Sequence, residues 1–198
     1  MAYKNFIHKD RLAADRISSS STLSGGLGSI SRAGRRVVPQ LPPSGLANYP
    51  FSDINISFDT VGAYSGTGVS VSELLARNER TLASTMVNPY DAIIVEEVCE
   101  LKLLVSWPGY PPLDKCCPKV SLYSSGKPIT RLRLAVAVAK AISSFVENVR
   151  CIPVDPACQQ ISLSAAGGVR LEQLFLVGLN NPIGDAIQVE IHLALASS

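Results

Sequence analysis

Apolar side chains recur at every second position along most of the sequence beyond Phe51, and such alternation is satisfied by packed β-sheet and by little else. The last run shows it most clearly. In AIQVEIHLALA, Ile187, Val189, Ile191, Leu193 and Leu195 fall on one side of an extended chain, and Gln188, Glu190, His192 and Ala194 on the other. DINISF groups Ile54, Ile56 and Phe58. AIIVEEVCELKLLVSW groups Ile93, Val95, Cys99, Leu101, Leu103, Val105 and Trp107, interrupted by Glu97, in a run long enough that a single strand would bend. RLRLAVAV aligns Leu132, Leu134, Val136 and Val138, and LEQLFLVGL aligns Leu171, Phe175, Val177 and Leu179. KVSLY at Val120 and QISLS at Ile161 are weaker strand candidates.

WPGYPP, SSGKP, AAGG and NNPIGD stand where these strands must reverse, so most connections read as antiparallel. One segment departs from the pattern. SVSELLARNERTLASTM carries Ser70 three residues before Glu73, a capping box, followed by Leu74, Leu75 and Leu82 among polar residues, and predicts a helix. A second short helix is expected through AKAISSFVENV, after the RLRLAVAV strand. The expected fold is mainly β: an antiparallel β-sandwich of the jelly-roll kind, with one or two short helices and a flexible N-terminal arm.

That arm is set apart by composition. From Met1 to Arg36, seven basic residues (Lys4, Lys9, Arg11, Arg16, Arg32, Arg35 and Arg36) oppose Asp10 and Asp15, a surplus of +5; the whole chain carries +2, so the remainder carries −3. Within it, SSSSTLSGGLGSIS offers too little apolar surface to offset the entropy of ordering. VVPQLPPSGLANYP follows, with four prolines that deny ladder donors and favour extended geometry. The division expected is residues 1–50 as a basic, Ser/Gly/Pro-rich arm and 51–198 as the β-sandwich domain. Basic groups on a flexible segment reach many phosphates without a fixed groove, which makes Lys4, Lys9, Arg11, Arg16, Arg32, Arg35 and Arg36 candidates for binding RNA with little sequence preference.

Charged residues make up only 17% of the chain, against about 25% in an ordinary soluble protein. Charge depletion marks surfaces buried between subunits, so homo-oligomerisation is expected. No apolar run approaches the ~18 residues that span a bilayer, since LAVAVA is flanked by Arg131, Arg133 and Lys140. The first residues lack a secretory signal's apolar core, which predicts an intracellular site and free thiols for the five cysteines.

Catalytic patterns are nearly absent, and no enzyme is expected. His8 lies in the arm, and His192 alternates onto the polar side of the last strand, where an exposed or interface histidine is the ordinary reading. Cys99, Cys116, Cys117, Cys151 and Cys158 form no paired C-x-x-C knuckles, so no metal site and no cofactor are assigned. GAYSG puts its serine one place too late for a nucleophile elbow. GGLGSI, GTGVSV and SSGKP lack residues that a phosphate loop needs. Glu96, Glu97 and Glu100 read as a solvated or interface face.

The basic arm, the proline-bearing entry and the alternating domain together resemble the coat proteins of small icosahedral plant RNA viruses. VRLEQLFLVGLNNPIGDAIQVEIHLAL, Val169 to Leu195, looks like the final hairpin of bromovirus and tymovirus coat proteins, and RLRLAVAVAKAISS is similar to a bromovirus segment. The likeness implies an eight-stranded jelly roll, many copies of one subunit in a shell, arms turned towards single-stranded genomic RNA, and a location in the virion and host cytoplasm. This arm is less basic than the arginine tracts of bromovirus coats, whereas tymovirus-like shells rely little on such an arm. Two alternatives compete with a capsid protein. A viral matrix protein would turn the arm to acidic lipid, and Tyr110-Pro111-Pro112-Leu113 fits the YPxL pattern of budding motifs. A cellular β-sandwich binding module would be monomeric and indifferent to RNA.

Overall fold

The computed structural model describes residues 29–31, 34–39, 54–95, 98–111, 118–164, 167–183 and 186–194, with backbone alone for 181–183. Along the chain these form β1 (Arg36–Val37), β2 (Ile56–Ser57), β3 (Val69–Ser70), α1 (Val71–Ala76), α2 (Glu79–Thr85), β4 (Glu100–Leu104), β5 (Lys119–Ser121), β6 (Tyr123–Ser124), β7 (Lys127–Pro128), α3 (Arg131–Val149), β8 (Leu174–Ile183) and β9 (Ala186–Leu193). Two 3₁₀ turns, Pro156–Ile161 and Leu171–Gln173, precede β8.

The β8–β9 hairpin is the centre of the molecule, pairing from Leu174 opposite Leu193 to Ile183 opposite Ala186. Seven strands make one sheet in the order β2-β8-β9-β4-β5, with β3 sharing the outer edge of β8 and β1 sharing the far edge of β9. Every pairing is antiparallel except β4 with β9. A separate two-stranded ribbon, β6–β7, turns at Ser125-Gly126 as SSGKP predicts. Ile187, Val189, Ile191 and Leu193 of β9 all enter the core, so the parity read from the last run is the observed one.

The RLRLAVAV strand is not formed. Those residues open α3, a 19-residue helix that runs on through AKAISSFVENV. Thr130 caps it, its hydroxyl accepting from Arg133 N–H at 3.4 Å. Leu134, Val138, Ala141, Phe145 and Val149 recur at three and four residues, and four alanines, Ala135, Ala137, Ala139 and Ala141, favour the helix intrinsically. Leu134 and Val138 satisfy both periods, which is why the first turns read as a strand. The buried side of α3 shares one core with Leu101, Leu103, Leu174, Leu176, Leu179 and the inward residues of β9. A helix therefore packs where a second sheet was expected, and the described residues form a mixed α/β structure with no closed jelly-roll sandwich.

Other expectations are corrected locally. A register shift between Leu176 and Gly178 inserts a residue in β8 and reverses its parity, so Leu174, Leu176 and Leu179 reach the core in place of Leu171, Phe175, Val177 and Leu179 as one row. Among the described residues of AIIVEEVCELKLLVSW a strand forms only at Glu100–Leu104; Ile93, Leu101, Leu103, Val105 and Trp107 are buried, whereas Cys99 is exposed. The helix expected from SVSELLARNERTLASTM splits in two, because Asn78 caps a new helix by accepting from Thr81 N–H at 3.0 Å. Ser70 stands at the N-cap of α1, but its hydroxyl meets Ser72 at 2.9 Å, and Glu73 pairs with Arg77 at 2.8 Å instead of completing a capping box. QISLS is no strand: Ile161 ends a 3₁₀ turn whose carbonyl accepts from Trp107 Nε1 at 2.7 Å, and Tyr110 Oη accepts from Leu163 N–H at 2.8 Å.

Candidate functional site

Of the seven candidate RNA-binding residues, Lys4, Lys9, Arg11, Arg16 and Arg32 lie outside the described residues. Arg35 and Arg36 are described, at the root of the arm. Residues 29–31 lie back along 34–37: Ser31 N–H donates to Arg35 O at 2.7 Å, Val37 N–H to Ser29 O at 2.9 Å, and Ile30 bridges Arg36. Arg36 and Val37 then pair with Leu193 and His192, and Val38 N–H donates to Ile191 O at 3.0 Å. Arg35 lies 3.3 Å above the ring centroid of Phe175 and donates to Thr67 O, a cation–π seat closed by a hydrogen bond. Desolvation draws its pKa below the ordinary arginine value, though a guanidinium so placed stays charged. Arg36 is half-buried, and its Nε has no hydrogen-bond partner. The root is thus anchored to the sheet by the Arg35 side chain and the Arg36 backbone.

Two turns, the first of them beside this seat, present exposed apolar side chains. Thr60 bridges Met86 in antiparallel sense, with Val61 N–H donating to Thr85 O and Val87 N–H to Asp59 O, each at 2.9 Å, so the turns that follow Val61 and Val87 leave the bridge in opposite directions. They carry Val61, Tyr64, Val87 and Tyr90, the two tyrosines 78% and 68% exposed. The first turn is internally tied: Asp59 Oδ1 accepts from Gly66 N–H at 2.7 Å, Thr60 Oγ1 donates to Gly68 O at 2.8 Å, and Thr67 Oγ1 donates to Tyr64 O. Large apolar groups are therefore held outward on ordered backbone, the character of an interface anchor. Nothing in GAYSG itself announces this, because exposure depends on what packs around the turn.

His192 is a correction. Expected on an exposed or interface face, it is only 4% exposed, on the outer face of β9 beside buried Gln188. Its Nε2 stands 3.1 Å from Glu190 Oε1, and Asn180 Nδ2 donates to Glu190 Oε2 at 2.7 Å. This imidazole–carboxylate pair has the form of an oriented base, but Nδ1 has no partner, so no described hydroxyl or thiol is placed to be activated.

The remaining candidates are dispersed. Cys99 and Cys151 are exposed and Cys158 half-buried, all as free thiols, while Cys116 and Cys117 lie outside the described residues. Among the described residues no three His, Cys, Asp or Glu side chains converge as metal ligands. Glu100 pairs with Lys119 at 3.8 Å, and Glu96 and Glu97 lie outside the described residues. Tyr110 of the YPxL pattern is buried with its hydroxyl engaged; Pro112 and Leu113 are not described. A groove of about 380 Å³ between α1, α2 and α3 has arginines on its rim, but Arg77 pairs with Glu73 at 2.8 Å and Arg133 with Glu79 at 3.2 Å, leaving little net charge there. No helix among the described residues is long and apolar enough to cross a membrane.

No family model matches the sequence, and neither the curated proteins nor the solved structures include a match to it.

Proposed function

We propose that this chain is a structural subunit that assembles with copies of itself into a shell and packages single-stranded RNA, as a viral coat protein does. The observation that carries the reading is the exposure of Val61, Tyr64, Val87 and Tyr90 on two hydrogen-bonded turns in a chain only 17% charged. Left in water, these side chains forgo the stabilisation of burial; against another copy they are aromatic and aliphatic anchors. The sequence adds the second half. The surplus of +5 before Val37 suits a polyanion, and since Arg35 and Arg36 are engaged with the sheet, Lys4, Lys9, Arg11, Arg16 and Arg32 carry the charge offered to phosphate. The sheet and α3 form the wall of the subunit in this reading. A jelly-roll closure of that wall is part of the coat-protein likeness and stands as a proposal with it.

The test is assembly of the Tyr64→Ala/Tyr90→Ala double variant, followed by light scattering. Each buried anchor tyrosine contributes about 2 kcal/mol, so each replacement should raise the protein concentration needed for particles about 30-fold. Far-ultraviolet circular dichroism should be unchanged, because both side chains are largely in solvent. Particles forming at the wild-type concentration would remove this surface from the account.

A further inference from the structure

We infer that the extended segment Asp91–Val95 pairs edge to edge with the same segment of a second copy, antiparallel about a two-fold axis at Ile93; this rests on the self-assembly reading above. One edge of the segment is used within the chain. Ile93 N–H donates to Ile129 O at 2.9 Å and Arg131 N–H to Asp91 O at 2.8 Å, flanking the antiparallel bridge of Ala92 with Thr130. In extended backbone successive residues aim their amides at opposite edges, so the N–H and C=O of Ala92 and of Ile94 face the other way. Among the described residues these four groups have no backbone partner. The side chains agree with an open edge: Ala92 is exposed, Ile94 is 50% exposed, and Ile93 between them is buried.

The open edge is complementary to itself. With Ile93 opposite Ile93 of the second copy, Ala92 of each chain stands opposite Ile94 of the other, and N–H to O bonds in both directions make this a hydrogen-bonded pair. The pair occurs twice about the axis, so the free groups of both copies are all satisfied, and each Ile94 side chain meets an alanine. Sheet edges left to solvent are ordinarily blocked by charge or proline, and β5, at one end of the sheet, carries Lys119 behind Pro118. Ala92 to Val95 has neither. The flanking Asp91 residues would lie about 14 Å apart across the axis, beyond the Debye length of about 10 Å at 0.1 M salt, and each carboxylate is paired with Arg131 at 3.8 Å. Tyr90 stands two residues before Ala92, so the paired edge continues the apolar surface on which assembly was argued. A second copy is the partner that supplies the register, the uncharged edge and the apolar flank together.

The experiment is disulfide trapping in full-length chains. Opposed residues of a hydrogen-bonded pair have Cα atoms about 5.5 Å apart, within disulfide reach. Ala92→Cys and Ile94→Cys are placed on separate chains, mixed before assembly and oxidised, and linked peptides are identified by mass, which sets aside links through the native Cys99 and Cys151. The expected result is a covalent heterodimer joined between positions 92 and 94. Neither variant alone should give a dimer through its new thiol, because in this register no position but 93 opposes itself. Ile94→Lys, with an unchanged circular dichroism spectrum, should weaken dimerisation of the unlinked chain about tenfold by replacing two cross-strand apolar pairs. Particles that assemble without the 92–94 link, or with links in another register, would overturn edge pairing and leave self-assembly standing; a wild-type chain that stays monomeric would remove both.

Discussion

Gly68→Ala is expected to destabilise the fold by about 3 kcal/mol, enough to leave much of a marginally stable domain unfolded at physiological temperature. Gly68 has φ +72°, and a Cβ built on it would stand 2.6 Å from Leu176 O and 2.9 Å from Val177 Cγ2. The left-handed backbone alone costs an alanine about 1–2 kcal/mol. The remainder comes from the clash, since Leu176 lies in the β8–β9 ladder and cannot retreat without breaking register. Val69 and Ser70, the next two residues, pair with Leu176 and Phe175, so β3 would be displaced together with the Thr67 carbonyl that holds Arg35. Urea unfolding followed by circular dichroism measures the effect. A midpoint equal to that of the wild type would mean that the 59–68 turn is not seated on β8 as described.

The second large effect concerns RNA. With Lys4, Lys9, Arg11, Arg16 and Arg32 all replaced by serine, the slope of log affinity against log salt for single-stranded RNA should become shallower by about 3.5, at about 0.7 per contact. At 0.1 M salt this amounts to roughly a three-thousandfold loss of affinity. Replacing Arg35 alone should change the slope little and the stability more, because its guanidinium is occupied by Phe175 and Thr67 O. Filter binding across a salt series separates the two variants. An unchanged slope in the five-residue variant would show that the arm does not meet phosphate.

The parts of this fold that can be read from sequence are those in which one period acts alone. Ile187, Val189, Ile191 and Leu193 alternate without competition, and β9 lies as its pattern predicts. Where two periods coincide the reading divides: Leu134 and Val138 suit a strand and a helix equally, and the alanines and the Thr130 cap settle on the helix. A bulge erases parity from a single position onward, so Leu179 joins the core row of Leu174 and Leu176 although a simple count along β8 groups it with Phe175 and Val177. Burial of a polar residue is set by distant elements: His192 alternates outward correctly, yet the outer face of β9 is covered. The exposure of Tyr64 and Tyr90 is illegible for the converse reason, since aromatic residues ordinarily suggest a core and only the tertiary arrangement leaves them outside.

Sedimentation velocity of the purified full-length protein, over a range of concentration and salt and with and without single-stranded RNA, bears most directly on the claim that subunits meet their own copies. A charge-poor chain bearing exposed Val61, Tyr64, Val87 and Tyr90 predicts particles of many subunits, their yield rising with concentration and with RNA. A species of 21.1 kDa under every one of those conditions would contradict it.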